Sequence, residues 1–529
     1  MITKDKVLKW LWWGVLAMIG VLLIMFIIQI VKDIGQPYTY DYGEAWNIWV
    51  GNWIGHGGLK NIYYQIGQFP YYETPYTPMF YIISGVLYKI FGATLLVGRS
   101  LSLASGFGSS ILCGLIVKEV TKSKWYGLLA GLLFWVAPIN RTWTLFLHVD
   151  CLGIFFSLIG TYFVVKYLGT KKILWAVIFY LLAVFTKQIF VTAPAVVVLY
   201  LFFTKKKIVF PFVGLLIVGG VALIALFQWG SGGTFIKAVF LYPTVFQWNV
   251  WLTIYLNSVN GVGQWGLTII AFCATMLTLM RHKEFKGAPV IIALYFLSAV
   301  VMATVTGFKQ GSWLSYFMEE MTVGSMLIPI FAWEISKLNT QKTLPRMGLV
   351  WKAKTWITEL SARDLLMFTI PVVMILQVAT IPSFAAWTSI PKSTKDSYAV
   401  ALKDMEAIPA NVPIMCEEAD LLADTNRLPP YVEPNFFSQS AQYGGLDPTP
   451  VYNMLSEKKF GLIVQEWDVN TYWDWKPQVS SMPSWVPEAV RRDYSMAFLR
   501  STEEEATLIR DNYHLIDATS RFYIYAPNP

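Results

Sequence analysis

The sequence predicts a polytopic α-helical membrane protein of about eleven spanning helices, followed by a small soluble α/β domain. Three observations predict it. The 529 residues are 55% hydrophobic and only 14% charged, well below the roughly 25% of a soluble domain. Long apolar runs, parted by short basic loops, recur from the N-terminus to about residue 382. Beyond that point the charge inverts: residues 1–382 hold 29 Lys+Arg against 13 Asp+Glu, and residues 383–529 hold 12 against 20. The overall +8 is therefore the sum of two unlike parts. Bases confined to short loops between apolar runs are what membrane topology requires, and they argue against nucleic-acid binding.

A spanning helix takes about 20 apolar residues, because no water satisfies its backbone inside the bilayer. Runs of this kind fall at about 8–31, 96–117, 125–146, 150–168, 172–187, 189–204, 208–228, 264–280, 288–306, 320–336 and 365–382. The first is too long for a signal-peptide core and lacks a small-residue cleavage site, so it is expected to remain as an anchor. A twelfth run, 76–92, is shorter, begins at Pro75 and Pro78, and carries Lys89. Charge decides its status. If it does not span, the N-terminal lysines, Lys118/Lys122/Lys124, Lys171/Lys172, Lys205/Lys206/Lys207, Arg281/Lys283/Lys286 and the basic stretch 337–363 all fall on one side. If it spans, every later cluster flips away from the N-terminus, against the positive-inside rule. Residues 76–92 are thus expected to form a membrane-edge or re-entrant helix. The N-terminus is expected in the cytoplasm and residues 383–529 outside the plasma membrane.

This topology leaves few ionisable residues on the outer face, where several sit at helix ends near membrane depth and are expected to be functional. The loop 32–95 carries Asp41 and Glu44 in a dense aromatic field that includes Trp46. A carboxylate there can serve as general base on a hydroxyl, and aromatic faces suit sugar rings or the lipid interface. The plainer alternative is an amphipathic interfacial helix with its acids in water. Asp150 opens a span, as an N-cap would, beside Arg141 and His148. Lys187, Lys309, Arg99 and Arg141 share the outer face; a single lysine there merely snorkels, whereas the set can hold an anionic phosphate. Glu319 and Glu320 follow Lys309, and one of them can simply pair with it.

The four cysteines (Cys113, Cys151, Cys273, Cys416) show no metal spacing, and the C-terminal domain cannot close an internal disulfide. The histidines are scattered and there is no Walker loop, so no metal ligands are expected from spacing. The exterior carboxylates still leave a divalent cation open.

Over residues 8–336 the ordered series of these segments resembles the GT-C superfamily of membrane glycosyltransferases, which includes protein O-mannosyltransferases and bacterial aminoarabinose transferases. The series comprises Asp41-Tyr42-Gly43-Glu44 after the first span, and Tyr76-Thr77-Pro78-Met79-Phe80 with Phe91-Gly92 and Arg99. It continues with His148-Val149-Asp150-Cys151-Leu152, Phe185 to Gln188, and Gly307 to Ser312 with Tyr316-Phe317-Met318-Glu319. The chain departs from the family in having a single Pro78 where a double proline is usual. It also carries His148 in place of an arginine, and Asp-x-x-Glu in place of adjacent acids. The resemblance implies a sugar donor on a polyprenyl or dolichyl phosphate and inversion at the anomeric carbon, with a glycan, lipid or protein as acceptor. It implies Asp41 or Glu44 as base, and Lys309, Lys187, Arg99 and Arg141 at the departing phosphate. Substrate contacts would come from Asp150, Tyr76, Tyr316, Glu319 and Trp46. A transporter or lipid flippase is the alternative; internal repeats and mid-membrane charges, its usual marks, are lacking here. A non-catalytic scaffold leaves the exterior charges unexplained.

Past residue 382 the segments TKDSYAVALKDMEAI, PVYNMLSEK and TEEEATLIRDNY read as helices, and VPIMCE, FGLIVQ and FYIYAP as strands. Helices alternating with buried strands predict a small α/β domain. The Trp467–Trp475 segment suits either glycan contact or packing.

Overall fold

The computed structural model describes residues 4–40, 42–61, 63, 69–72, 76–241, 265–309, 312, 314–337, 362–379, 392–424, 429–431, 434–442, 444–473 and 500–529. The helices preceding the C-terminal segment are α1 Lys4–Asp33, α2 Tyr42–Gly57, α3 Met79–Phe91, α4 Leu95–Thr121, α5 Lys124–Val136, α6 Pro138–Leu145, α7 Val149–Lys166, α8 Ala176–Val184, α9 Thr192–Thr204, α10 Lys206–Gly230, α11 Trp265–Arg281, α12 Ala288–Gly307, α13 Met318–Ser336 and α14 Ala362–Ala379. Each of the eleven expected runs contains a helix. Among the described residues five helices (α1, α4, α7, α10 and α12) are long and apolar enough to cross a membrane. Several carry broad apolar surface outward. Val21, Ile24 and Ile27 on α1, and Phe210, Ile217, Val218 and Val221 on α10, are all exposed. Contiguous apolar surface of that extent is what a lipid-facing wall presents.

Three expected spans are interrupted. Run 125–146 breaks at Ala137, which adopts an extended conformation because Pro138 follows it. Run 172–187 starts as a 3₁₀ turn, Lys171–Trp175, before the nine-residue α8. Run 189–204 likewise starts as the 3₁₀ turn Gln188–Val191. Lys187 sits extended between the last two. Irregular backbone at such depth is tolerated where it is buried in protein or lines a cavity.

α3 is the helix of the expected edge element, 13 residues led by Pro78. It packs on α2 so closely that a Cβ at Gly55 would lie 2.6 Å from the Gly85 carbonyl. Small residues allow this backbone approach, and replacing Gly85 with Ala is expected to push the pair apart.

The ends of the helices sort the charges. α4 runs from Arg99 to Lys118, α7 from Asp150 to Lys166, and the 171–187 segment from Lys171 back to Lys187. Arg99, Asp150 and Lys187 therefore share the end opposite the basic loops. At the basic end Arg281 Nη1 donates to the Glu334 carbonyl (3.0 Å), and His282 Nε2 lies 2.8 Å from Glu334 Oε1.

The C-terminal segment forms α15 Lys392–Glu406, β1 Ile414–Cys416, α16 Ala419–Asp424, α17 Pro434–Gln442, α18 Thr449–Ser456, β2 Leu462–Gln465, α19 Glu503–Asn512, β3 Tyr513–Ala518 and β4 Tyr523–Pro527. The sheet order is β1-β2-β4-β3, with β1 parallel to β2 and β4 antiparallel to both β2 and β3. The six expected elements are present, and β3 is an addition. Trp467 packs inside the domain, its indole donating to Glu417 Oε1 (2.9 Å); Trp475 lies outside the described residues. The domain meets the segments that flank α2: the Tyr71 amide donates to the Pro430 carbonyl (2.9 Å), and Thr39 bonds to the Tyr398 hydroxyl.

α19 begins with a capping box, Thr502 and Glu505 each bonding to the other's backbone N–H. The Glu505 carboxyl is fully buried, and burial pushes its pKa from 4.5 up to about 7. Because the folded value is the higher one, its stabilising contribution is complete below about pH 4.5 and is lost as pH rises through 7. Thermal melting of the domain signal is expected to fall between pH 5 and 8 by roughly 2–3 kcal/mol. Glu505→Gln should flatten that dependence. Glu466 has the opposite sign: burial alone would raise it, but Arg500 and Arg521 hold it well below the usual carboxylate range. Its contribution is lost only in acid.

Candidate active site

Two buried ion pairs organise the end of the bundle that faces the C-terminal domain. In the first, Arg99 near the start of α4 grips Glu44 on the first turn of α2 through both carboxylate oxygens (Nε to Oε1 2.8 Å, Nη2 to Oε2 2.7 Å). Its remaining donors go to backbone: Nη1 to the carbonyls of Gln36 (2.7 Å) and Asp33 (3.3 Å), and Nη2 to that of Tyr38 (2.7 Å). Glu44 in turn accepts from the amides of Tyr40 (2.7 Å) and Leu147 (2.8 Å). Arg99 is 0% and Glu44 1% exposed. Every donor of the fork and both oxygens of the carboxylate are thus engaged. This bears on two expectations. Glu44 has no oxygen left to take a proton from a substrate, and Arg99 has no N–H left for a phosphate. Together they fix the chain between α1 and α2 to the start of α4 and to the turn before α7.

The second pair joins Asp150 on α7 to Lys187. Lys187 Nζ donates to Oδ1 (2.9 Å) and Oδ2 (3.0 Å), and His148 Nδ1 lies 2.6 Å from Oδ2. The ammonium stands 4.3 Å from the centre of the Tyr316 ring and 5.1 Å from that of Tyr76. Two of the lysine's three N–H groups are spent on Asp150 and the rest of the cation meets aromatic faces. Lys187 is thus already paired with Asp150. Asp150 does not cap its helix with its side chain; it is the counter-ion of Lys187. Trp46 is buried alongside, its ring centre 5.5 Å from that of Tyr76.

Glu319 is buried on α13 and accepts from Thr192 Oγ1 (2.6 Å) and the Tyr295 hydroxyl (2.7 Å). It lies inside the helix packing, and among the described residues it makes no ion pair with Lys309. Two expected cations carry no carboxylate partner among the described residues. Arg141, on α6, has its Nε buried without a hydrogen-bond partner, and α6 packs against the turn 314–317 that carries Tyr316. Lys309 is half-buried at the end of α12. Asp41 lies outside the described residues. Beside Lys187, an apolar groove of about 640 Å³ opens between α8, α9 and α10, lined by Leu181, Phe185, Val198, Phe202, Leu216 and Ile224 among others. Among the described residues no three His, Cys, Asp or Glu side chains gather as metal ligands.

No protein-family model matches this sequence, and no curated protein matches it either. The path of the chain is matched closely. ArnT from Cupriavidus metallidurans, solved with undecaprenyl phosphate bound, aligns over 98% of this chain and 99% of its own with a TM-score of 0.57 at 12% identity. The chain has the GT-C fold. The Archaeoglobus fulgidus oligosaccharyltransferase AglB, solved with an inhibitory peptide and a dolichol-phosphate, aligns over 97% of this chain and 74% of its own, with a TM-score of 0.53 at 12% identity. Within this GT-C fold, the segments picked out by sequence order converge on one end of the bundle. Sequence reasoning missed the partners of its own candidates. Tyr295 and Thr192 lie inside apolar runs and gave no signal, whereas His148 stood out only as a departure from the family pattern.

Proposed function

We propose that this protein is an integral membrane glycosyltransferase that moves a sugar from a polyprenyl-phosphate-linked donor to an acceptor hydroxyl on the extracytoplasmic face, with inversion. Residues 1–382 form the membrane domain of about eleven spans and residues 383–529 the external domain. The observation that carries the reading is the saturated Glu44–Arg99 pair, set at the same end of the bundle as Arg141 and Lys309, which have no carboxylate partner among the described residues. Of the two acids in the Asp41-x-x-Glu44 motif, only Asp41 is then left to act as base. The acceptor oxygen attacks the anomeric carbon while Asp41 takes its proton. The bond from that carbon to the phosphate oxygen breaks, and the phosphate leaves with the electron pair. Arg141 and Lys309 meet the charge that develops there, where preorganised donors contribute most. Lys187 and Asp150 set the floor of the site with Tyr76, Tyr316 and Trp46, and the apolar groove beside them suits a polyprenyl tail. That ArnT and AglB have been solved with undecaprenyl phosphate and dolichol-phosphate supports this class of donor.

Arg141→Met and Lys309→Met are each expected to lower kcat for donor turnover by about 10²–10³-fold, with the fold intact by thermal melting. Full activity in both variants would remove the phosphate site. Treatment with EDTA, followed by restoring Mg²⁺ or Mn²⁺, reads whether a divalent cation acts at the Asp41 carboxylate.

A further inference from the structure

The topology of the C-terminal sheet brings one more arginine against the segment that leads to Asp41. Because β1 and β2 are parallel, their C-terminal ends lie side by side, placing Glu417 and Glu418 next to Glu466. β4 runs antiparallel to β2 and starts at that same edge. Arg521 sits at the tip of the β3–β4 hairpin, a turn closed by the Thr519 amide on the Phe522 carbonyl (2.8 Å) and by Thr519 Oγ1 accepting from the Phe522 amide (2.7 Å).

The guanidinium faces two ways. Within its own domain Nε donates to Glu466 Oε1 (2.7 Å), and Nη2 pairs with Glu418. Outside it, Nη1 donates to the Thr39 carbonyl (2.8 Å) and Nη2 to the Thr39 hydroxyl (3.2 Å). Thr39 is fully buried, and its hydroxyl also meets Tyr398 and Glu418. On the opposite side, Arg99 holds the carbonyls of Asp33, Gln36 and Tyr38. The segment 33–40 is thus held between two arginines, the buried Arg99 and the half-buried Arg521, one from each domain, acting on adjacent carbonyls at residues 38 and 39.

We propose that Arg521 is a positioning residue for the transfer reaction: by fixing Thr39, two residues before Asp41, it makes the setting of the catalytic carboxylate depend on docking of the C-terminal domain. This rests on Asp41 being the base. Misplacing a catalytic group by about 1 Å costs on the order of 10²-fold, and a planar fork on a carbonyl and a hydroxyl is not reproduced by an ammonium.

The test uses the full-length protein in detergent or nanodiscs with a polyprenyl-phosphate sugar. Arg521→Lys keeps the charge and is expected to lower kcat about 10–100-fold while the donor KM stays within about twofold. Thr39→Ala leaves Arg521 paired with Glu418 and Glu466 and is expected to lower kcat less, with the double variant no worse than Arg521→Lys alone. Hydrogen exchange gives a readout independent of turnover: amides 34–40 should exchange faster in both variants, with residues 95–121 and 503–518 unchanged. Unchanged exchange at 34–40 in Arg521→Lys overturns the clamp, and Arg521→Gln, which removes the charge as well, serves the same reading if the lysine variant unfolds. Faster exchange with unchanged kcat overturns the positioning role. Loosened exchange in the variants, together with a wild type that never consumes donor, instead sinks the choice of reaction and leaves the contact itself standing.

Discussion

Asp41→Asn is expected to lower kcat for donor consumption by about 10²–10⁴-fold, the range that a positioned general base contributes. The amide keeps the size of the side chain and removes only its basicity. The donor KM and the melting temperature should therefore stay near those of the wild type, and kcat and kcat/KM should fall together. The reason for choosing Asp41 lies with its neighbour. Glu44 receives Arg99 on both oxygens and two backbone amides as well, so it cannot also bind an acceptor proton. A variant that lost folded protein instead of turnover would show Asp41 to be structural and would return the base to an unassigned group.

Glu44→Ala and Arg99→Ala are expected to fail in a different way. Each leaves the other charge buried and unpaired, at a cost of roughly 3–5 kcal/mol. That is a large part of the stability of a domain, so the yield of monodisperse protein and the melting temperature should drop sharply before any kinetic effect can be read. Replacing both at once, Glu44→Met with Arg99→Met, removes the uncompensated charge and should recover part of the loss. It does not restore the hydrogen bonds to the carbonyls of Asp33, Gln36 and Tyr38. Equal melting temperatures for wild type and Glu44→Ala would show that the pair does not hold the fold.

These two predictions also mark what the sequence could and could not disclose. Hydropathy located a helix within each expected run, because a backbone in lipid has to satisfy itself within a helix. It did not locate the breaks. The turn at Ala137–Pro138 lay inside what reads as one apolar stretch, and the 3₁₀ turns that open the runs 172–187 and 189–204 contain no proline or glycine to announce them. Short-loop charge predicts a common face for Arg99, Asp150, Lys187 and Glu44, and the four residues sit at one end of the bundle. Their mutual pairing was not legible, since Glu44 and Arg99 are 55 residues apart and Asp150 and Lys187 are 37 apart. Only the packing of α2, α4 and α7 brings them into contact. The proposed phosphate site is assigned to Arg141 and Lys309 because Arg99 and Lys187 are each paired with a carboxylate. In the C-terminal domain the buried strands were legible as apolar runs. β3 was not, because it is an exposed edge strand whose residues past Tyr513 face solvent. Arg521 carried no signal at all; its role arises from the parallel pairing that sets Glu418 and Glu466 side by side.

The measurement that bears most directly on the whole account is donor turnover. Purified full-length protein would be incubated with a labelled polyprenyl-phosphate sugar and a cell-envelope fraction as acceptor. Free polyprenyl phosphate would then be followed with time, in wild type and Asp41→Asn side by side. The account predicts steady release of polyprenyl phosphate by the wild type and its near loss in Asp41→Asn at equal amounts of folded protein. Donor left intact by the wild type, or release that continues unchanged in Asp41→Asn, would contradict it.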